Sequence, residues 1–168
     1  FVRQNDFWAV QIALEDQGTI VAGAVYFPCL DRMLHAVSGQ GCFWDGAPVR
    51  AHGTDKIDKA ILMISAMKAA WSSWPADGVR NLTETCWTIR SYGASYDLAM
   101  LARGKADIWL SGSGMEWDYA AAQIVAAESG AVFITRQGDQ RIDRRHCLIC
   151  PPSLESELRR ILDIRCGV

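Results

Sequence analysis

Over the first fifty positions, apolar and β-branched residues come in short bursts separated by turn formers, a strand-like period rather than a helical one. Residues 7–15 (FWAVQIALE) and 19–27 (TIVAGAVYF) predict a hairpin, with Asp16, Gln17 and Gly18 as its turn. Shorter runs at 33–37 and around 42–44, punctuated by Pro28, Asp31, Gly39, Gly41 and Gly46, extend it into an antiparallel meander of four strands. The charged stretch after Val49 reads as a surface connection, and residues 60–65 (AILMIS) as a buried strand. Pro75 and Gly78 interrupt the region from 67 to 85, which predicts a loop followed by a modest helix from about Ala76. Beyond it the pattern predicts strands at 87–90, 106–110, 132–135 and 147–150. Helices are predicted at 95–103, ended by Gly104, and in the closing run SLESELRRIL, capped by Ser153.

The clearest helix is WDYAAAQIVAAESGA, residues 117–131. Ala120, Ile124, Val125 and Ala127 keep the helical period, and Gly130 supplies the left-handed residue that ends it. The glycine-rich loop SGSGME feeds its amino end, and Asp118 falls in its first turn. An acid there is commonly a cap, worth ~1 kcal/mol, and it is also where a metal or phosphate site can be built. The sum is an α/β layered sandwich with a mixed, largely antiparallel sheet and packed helices, read as one domain over residues 1–168.

Composition narrows the function classes. Lys and Arg number 17 against 19 Asp and Glu, so no basic field exists to hold a nucleic-acid backbone. No apolar run approaches the ~20 residues that span a bilayer, and no signal peptide opens the chain, which gives a cytoplasmic expectation. Six scattered cysteines do not form a secreted disulfide framework and read as reduced thiols. His146, Cys147 and Cys150 have no second ligand pair at zinc spacing. The chain begins at Phe1 with almost no lead-in to its first strand, as a piece of something longer would.

Two blocks resemble the inositol monophosphatase family of magnesium-dependent sugar and inositol phosphatases. The first is GAVYFPCLDRMLHAVSGQGCFWDGAPV, residues 23–49, similar in the spacing of Gly23, Pro28, Asp31, Ala36, Gly39, Gly41, Phe43 and Gly46. The second is WDYAAAQIVAAESGA, with YGASYDLAMLARGKADIW upstream at the expected distance. The family's other signature, an acidic DPxDGT stretch, is not in this chain, and Phe1, Val2 and Arg3 look like the residues that follow it.

The resemblance implies a partial sugar-phosphatase fold and phosphomonoester hydrolysis by water activated on Mg2+, without a covalent intermediate. It makes Asp118 a metal ligand and catalytic carboxylate. Gly93, Ala94 and Ser95 become backbone donors to phosphate at a helix start. Ser111 stands at the substrate position where inositol-specific members carry a glutamate, and Glu116 is an alternative acid for the pocket. Trp87, Trp109 and Trp117 are expected in the core, Asp97 as a solvated helix acid and Asp107 as a turn acid. The partner is a small phosphorylated substrate: inositol, sugar, histidinol or nucleotide 3′-phosphate. Neither nucleic acid nor membrane is a partner, and a homo-oligomer is expected. One carboxylate does not hold Mg2+ against its hydration shell, so the chain alone is expected to be inactive or nearly so. The alternative is an inactive fragment or a binding module of the same fold.

Overall fold

The computed structural model describes residues 4–165. Phe1, Val2 and Arg3, on which the likeness to the end of the acidic signature rests, lie outside the described residues.

The amino-terminal meander is one antiparallel sheet of five strands in sequence order, β1 (Val10–Asp16), β2 (Thr19–Phe27), β3 (Arg32–Val37), β4 (Gly41–Trp44) and β5 (Ala47–Val49). The first turn is tighter than the sequence suggests. Asp16 pairs with Thr19, leaving Gln17 (φ 48°) and Gly18 (φ 81°) as a two-residue turn with both φ positive. Such a turn matches the twist of the strands it joins. The fifth strand lies beyond the four that the sequence predicts, and its Pro48 is tolerated because β5 is an edge.

The second sheet has the order β7-β6-β8-β10-β9, from β6 (Ile61–Ser65), β7 (Thr88–Arg90), β8 (Ile108–Ser111), β9 (Val132–Ile134) and β10 (Cys147–Cys150). Strands β6, β7 and β8 are parallel, and β10 runs antiparallel to both β8 and β9. The α/β sandwich therefore holds two separate sheets, one antiparallel and one mixed, in place of a single mixed sheet.

Helices α3 (Ala94–Ala102) and α4 (Glu116–Ser129) lie between the sheets, with α4 packed on β1 to β4 and also on β9. On the far face of the second sheet are α1 (Met67–Ser73), α2 (Ala76–Thr85) and α5 (Pro152–Ile161), against a core of Leu62, Ile64, Ile108, Leu110 and Leu148. Strand alternation divides the second sheet between these layers. Met63, Trp109, Phe133 and Ile149 face α3 and α4, and their neighbours face the outer helices.

Enclosure by both sheets explains why α4 buries Tyr119, Ala121, Ala122, Ile124, Val125 and Ala126 rather than one stripe, while Ala127, expected on the apolar face, is exposed. Small residues permit the close seat. A Cβ on Gly23 of β2 would stand 2.7 Å from Ile124 Cγ2 and 3.0 Å from Ala121 Cα. On the opposite side, Glu128 accepts the Gly39 and Gly41 N–H groups, both at 2.8 Å, tying α4 to the β3–β4 turn.

Other expectations are corrected. The predicted loop after Met67 contains α1, which lacks a side-chain cap and starts from Ala66 in the left-handed region (φ 52°). Its signal is Ala70 and the adjoining Trp74, both buried. Ser153 is inside α5 rather than its cap, and its hydroxyl donates to the Thr54 carbonyl. Trp109 is buried, but Trp87 and Trp117 are 69% and 66% exposed and are not core.

Candidate functional site

Parallel strands β6, β7 and β8 end side by side, and the chain leaves each toward a helix start: α1 after Ser65, α3 after Arg90 and α4 after Ser111. The carboxyl end of parallel strands is where open α/β sheets leave a crevice, and free helix amides there favour anions. Gly112 makes the crossing possible. A Cβ on it would lie 2.0 Å from the Ala70 nitrogen, so the loop into α4 runs directly against α1.

Asp118 occupies the first turn of α4, half-buried, and its Oδ2 accepts the Met115 N–H at 2.8 Å while its own N–H donates to the Met115 carbonyl. It is thus a helix cap as well as a candidate ligand. Its other carboxylate oxygen carries no hydrogen bond among the described residues. Asp118 lines an open cavity of about 610 Å³ with Ala69 and Ser73 of α1, the 112–115 loop, and Arg144, Arg145 and His146.

The basic trio reaches Asp118 through strand register. Cys147 of β10 pairs with Ser111 of β8, so residues 144–146 lie beside the loop that precedes α4, and Gly114 N–H donates to the Arg145 carbonyl at 3.1 Å. Arg144 is held by Asp139 at 2.8 Å. His146 is buried, and burial pushes its imidazole below the ordinary value. The neutral form is also what its hydrogen bond requires, since Nε2 accepts the Arg136 N–H. Arg145 is exposed, in the left-handed region (φ 66°), with its guanidinium against the Met115 sulfur. The sequence contained these residues, but proximity to Asp118 depends on the antiparallel pairing of β10 with β8, which no local pattern encodes.

Ser111, expected at the substrate position, ends β8. It is 1% exposed, and its hydroxyl lies 2.9 Å from the Tyr119 hydroxyl, which in turn donates to the Arg145 carbonyl. The Ser111 carbonyl accepts Trp74 Nε1–H at 3.1 Å. This residue braces the end of β8 and does not face the cavity. Glu116 lines a separate hollow of about 290 Å³ with Gln11, Trp117 and Ile142, away from Asp118.

Gly93, Ala94 and Ser95 form the start of α3, with Gly93 (φ 135°) at its cap, but they do not line the cavity that holds Asp118. Ser95 Oγ accepts from Gln11 Nε2 at 3.2 Å. Below this turn lies a network the sequence reading missed. Asp97 is fully buried, with Oδ2 accepting the Ser65 hydroxyl at 2.8 Å and Oδ1 the Tyr92 N–H at 2.9 Å, while Trp109 Nε1–H donates to Ser65 at 2.8 Å. Asp97 is therefore a buried clasp on the ends of β6 and β7, not a solvated acid. Asp107 is likewise structural, taking the Thr54 and Ile61 N–H groups at 2.9 and 2.7 Å.

Among the described residues no group of three or more His, Cys, Asp or Glu side chains could hold a metal ion. Cys147 and Cys150 face opposite sides of the second sheet, which also prevents them sharing an ion. No helix among the described residues is long and apolar enough to cross a membrane.

A sequence model described as the inositol monophosphatase family matches residues 1–165. Histidinol-phosphatase of Mycobacterium tuberculosis is 32% identical over 143 residues, which cover 82% of this chain and 55% of that protein. Inositol-1-monophosphatase of Bacillus subtilis is 29% identical over 147 residues, 83% of this chain and 53% of its own length. The solved structure of the extragenic suppressor protein SuhB from Bartonella henselae superposes with a TM-score of 0.83 at 28% identity, covering 94% of this chain and 65% of that one. The chain thus spans about half the length of the curated relatives it matches.

Proposed function

This chain belongs to the inositol monophosphatase family, and from that premise we propose that it forms the substrate-side part of a magnesium-dependent phosphomonoesterase. Two of the relatives, histidinol-phosphatase and inositol-1-monophosphatase, are phosphatases. The observation that carries the reading is the meeting of three helix starts at the carboxyl ends of β6, β7 and β8, with Asp118 in the first turn of one. Asp118 is the proposed metal-binding and catalytic carboxylate. The Gly93, Ala94 and Ser95 amides are proposed to receive the phosphate, at the dipole-positive end of α3.

The donors present do not by themselves fit a magnesium site. Mg2+ takes about six oxygens in an octahedron, and the cavity offers one carboxylate, of which one oxygen already caps α4. What these residues contribute is binding and orientation of a phosphate ester. The 168-residue chain is accordingly expected to show no phosphomonoester turnover with Mg2+. Turnover that Asp118→Asn abolishes would overturn that expectation. The phosphate site has its own test, titration of inorganic phosphate into isotope-labelled chain. The Gly93, Ala94 and Ser95 amide resonances are expected to shift, and their indifference would remove the anion reading.

A cytoplasmic location is part of the proposal. A homo-oligomer is proposed on a specific observation. On the outer face of the first sheet, Val10 pairs across to Tyr26 and Met33, Ile12 to Ala24, His35 and Phe43, and Leu14 to Ala22 and Val37. Ile12 and Leu14 there are 68% and 60% exposed. The paired rows hold no Lys, Arg, Asp or Glu; Asp31 and Asp45 bond Tyr26 and Met33 at one edge, so the ion-free surface for a second copy is the part around Ile12 and Leu14. Strand spacing and rise give this face roughly 400 Å² per copy. A pair then buries less than the ~1,200 Å² at the lower end of stable interfaces, which makes the association weak and concentration-dependent.

A further inference from the structure

We infer that Asp97 is a positioning residue for the turn at the start of α3: its buried carboxylate draws the backbone of Tyr92 and Gly93 inward and so presents the Ala94 and Ser95 amides to an anion. The inference rests on the phosphate reading above and goes beyond it by naming the residue that sets the turn.

The start of α3 is left open. Gly93 stands at the cap, and no side-chain hydrogen bond closes the helix. The first bond within α3 runs from Asp97 N–H to the Gly93 carbonyl at 2.9 Å, so the amides of Ala94, Ser95 and Tyr96 have no partner inside the helix. An acid in the first turn can fold back onto a helix start. Asp97 is the acid of this turn, and it reaches in front of the helix instead. Its Oδ1 takes the Tyr92 N–H at 2.9 Å, the Gly93 amide also faces the carboxylate, and Oδ2 takes the Ser65 hydroxyl at 2.8 Å.

The same carboxylate joins the three strand ends. Ser65 closes β6, receives Trp109 Nε1–H from β8 at 2.8 Å and donates to Asp97, while Tyr92 follows β7. The Ser65 carbonyl in turn accepts the Gly112 N–H at 3.3 Å, where the chain leaves β8 for Asp118. Asp97 thereby sets the α3 turn relative to the start of α4. Both Asp97 and Ser65 are buried, so water does not compete for these bonds. An apolar side chain would fill the space without the cost of burying a carboxylate. It could not hold the Tyr92 N–H.

The test is titration of inorganic phosphate into the isotope-labelled 168-residue chain, followed at the Ala94 and Ser95 amides, in the parent, Asp97→Asn, Asp97→Ala and Ser65→Ala. Asp97→Asn keeps an acceptor for the Tyr92 N–H and is expected to bind phosphate as the parent does. Asp97→Ala removes the acceptor and is expected to bind about tenfold more weakly, the worth of one lost buried hydrogen bond. Ser65→Ala orphans the Trp109 N–H but leaves Tyr92 held, so its unfolding midpoint is expected to fall while its phosphate affinity stays. That split separates positioning from a loss of stability alone. A second measurement needs no variant. Because phosphate binds the closed turn, phosphate at about ten times its Kd is expected to slow hydrogen exchange of the Tyr92 amide about tenfold by mass action. The Thr54 amide, held by Asp107, is expected to keep its rate. Equal affinity in Asp97→Ala and the parent, or a Tyr92 exchange rate indifferent to bound phosphate, overturns the inference and leaves the phosphate reading standing. Indifference of Ala94 and Ser95 to phosphate in the parent overturns the reading beneath it.

Discussion

Asp97 is a carboxylate with no exposure and three polar neighbours, Ser65, Tyr92 and Gly93, that favour its ionised form. Burial outweighs them and raises its pKa above the ordinary carboxylate value. The sign of the linkage follows. With the folded pKa above the unfolded one, the native state holds the proton longer, so stability falls as pH rises from the unfolded value, about 3.9, through the raised folded value. Asp97→Asn keeps an acceptor for Tyr92 N–H and carries no charge to bury. Urea midpoints measured across that window are expected to decline with pH in the parent chain and to flatten in the variant. A parallel decline in both would place the titration elsewhere. Asp118 is the contrasting case, an acid whose position in the first helical turn was legible from WDYAAAQ, whereas the burial of Asp97 was not, because SYDLAMLAR alone does not say that Ser65 and Tyr92 will close over it.

Among the elements, α4 is the one on which both sheets depend. Its seat on β2 has no room at Gly23, where an added methyl meets the β-branched Ile124 and the α4 backbone at Ala121. Gly23→Ala is expected to cost about 1–3 kcal/mol through overpacking, and Gly23→Val more, read as a lowered denaturant midpoint with an unchanged slope. An unaltered midpoint would show that α4 shifts freely. Elements with a strong local signal were legible: the hairpin, the buried strand before Ser65, the helix from Ala76, and α4 with its left-handed Gly130. Those held mainly by their neighbours were not. Helix α1 has seven residues and no side-chain cap, so its stability comes from burying Ala70 and from the contact of Gly112. Strand β5 contains a proline that only an edge position excuses.

For the whole molecule, the consequence of four stacked layers is an outer sheet face with apolar side chains and no layer above it among the described residues. Sedimentation velocity at rising concentration is expected to show reversible self-association, and Ile12→Lys with Leu14→Lys to suppress it while leaving the circular dichroism spectrum unchanged. A monomer at every concentration would remove the homo-oligomer proposal. The same layering places the candidate site, since β6, β7 and β8 can deliver three helix starts to one edge only when they are parallel and adjacent.

The sequence by itself determined the strand and helix periods, the α/β class, the cap at Asp118 and, through two ordered blocks, the family. These are properties of short windows, where side-chain spacing and turn chemistry act within a few residues. Tertiary structure alone decided that there are two sheets, that Ser111 turns inward, that Asp97 is buried, and that Arg145 stands beside Asp118. Each of those depends on pairings between residues far apart in the chain, Cys147 with Ser111 and Ser65 with Asp97 among them. Their partners are chosen by the packing of complete layers, a choice no local pattern contains.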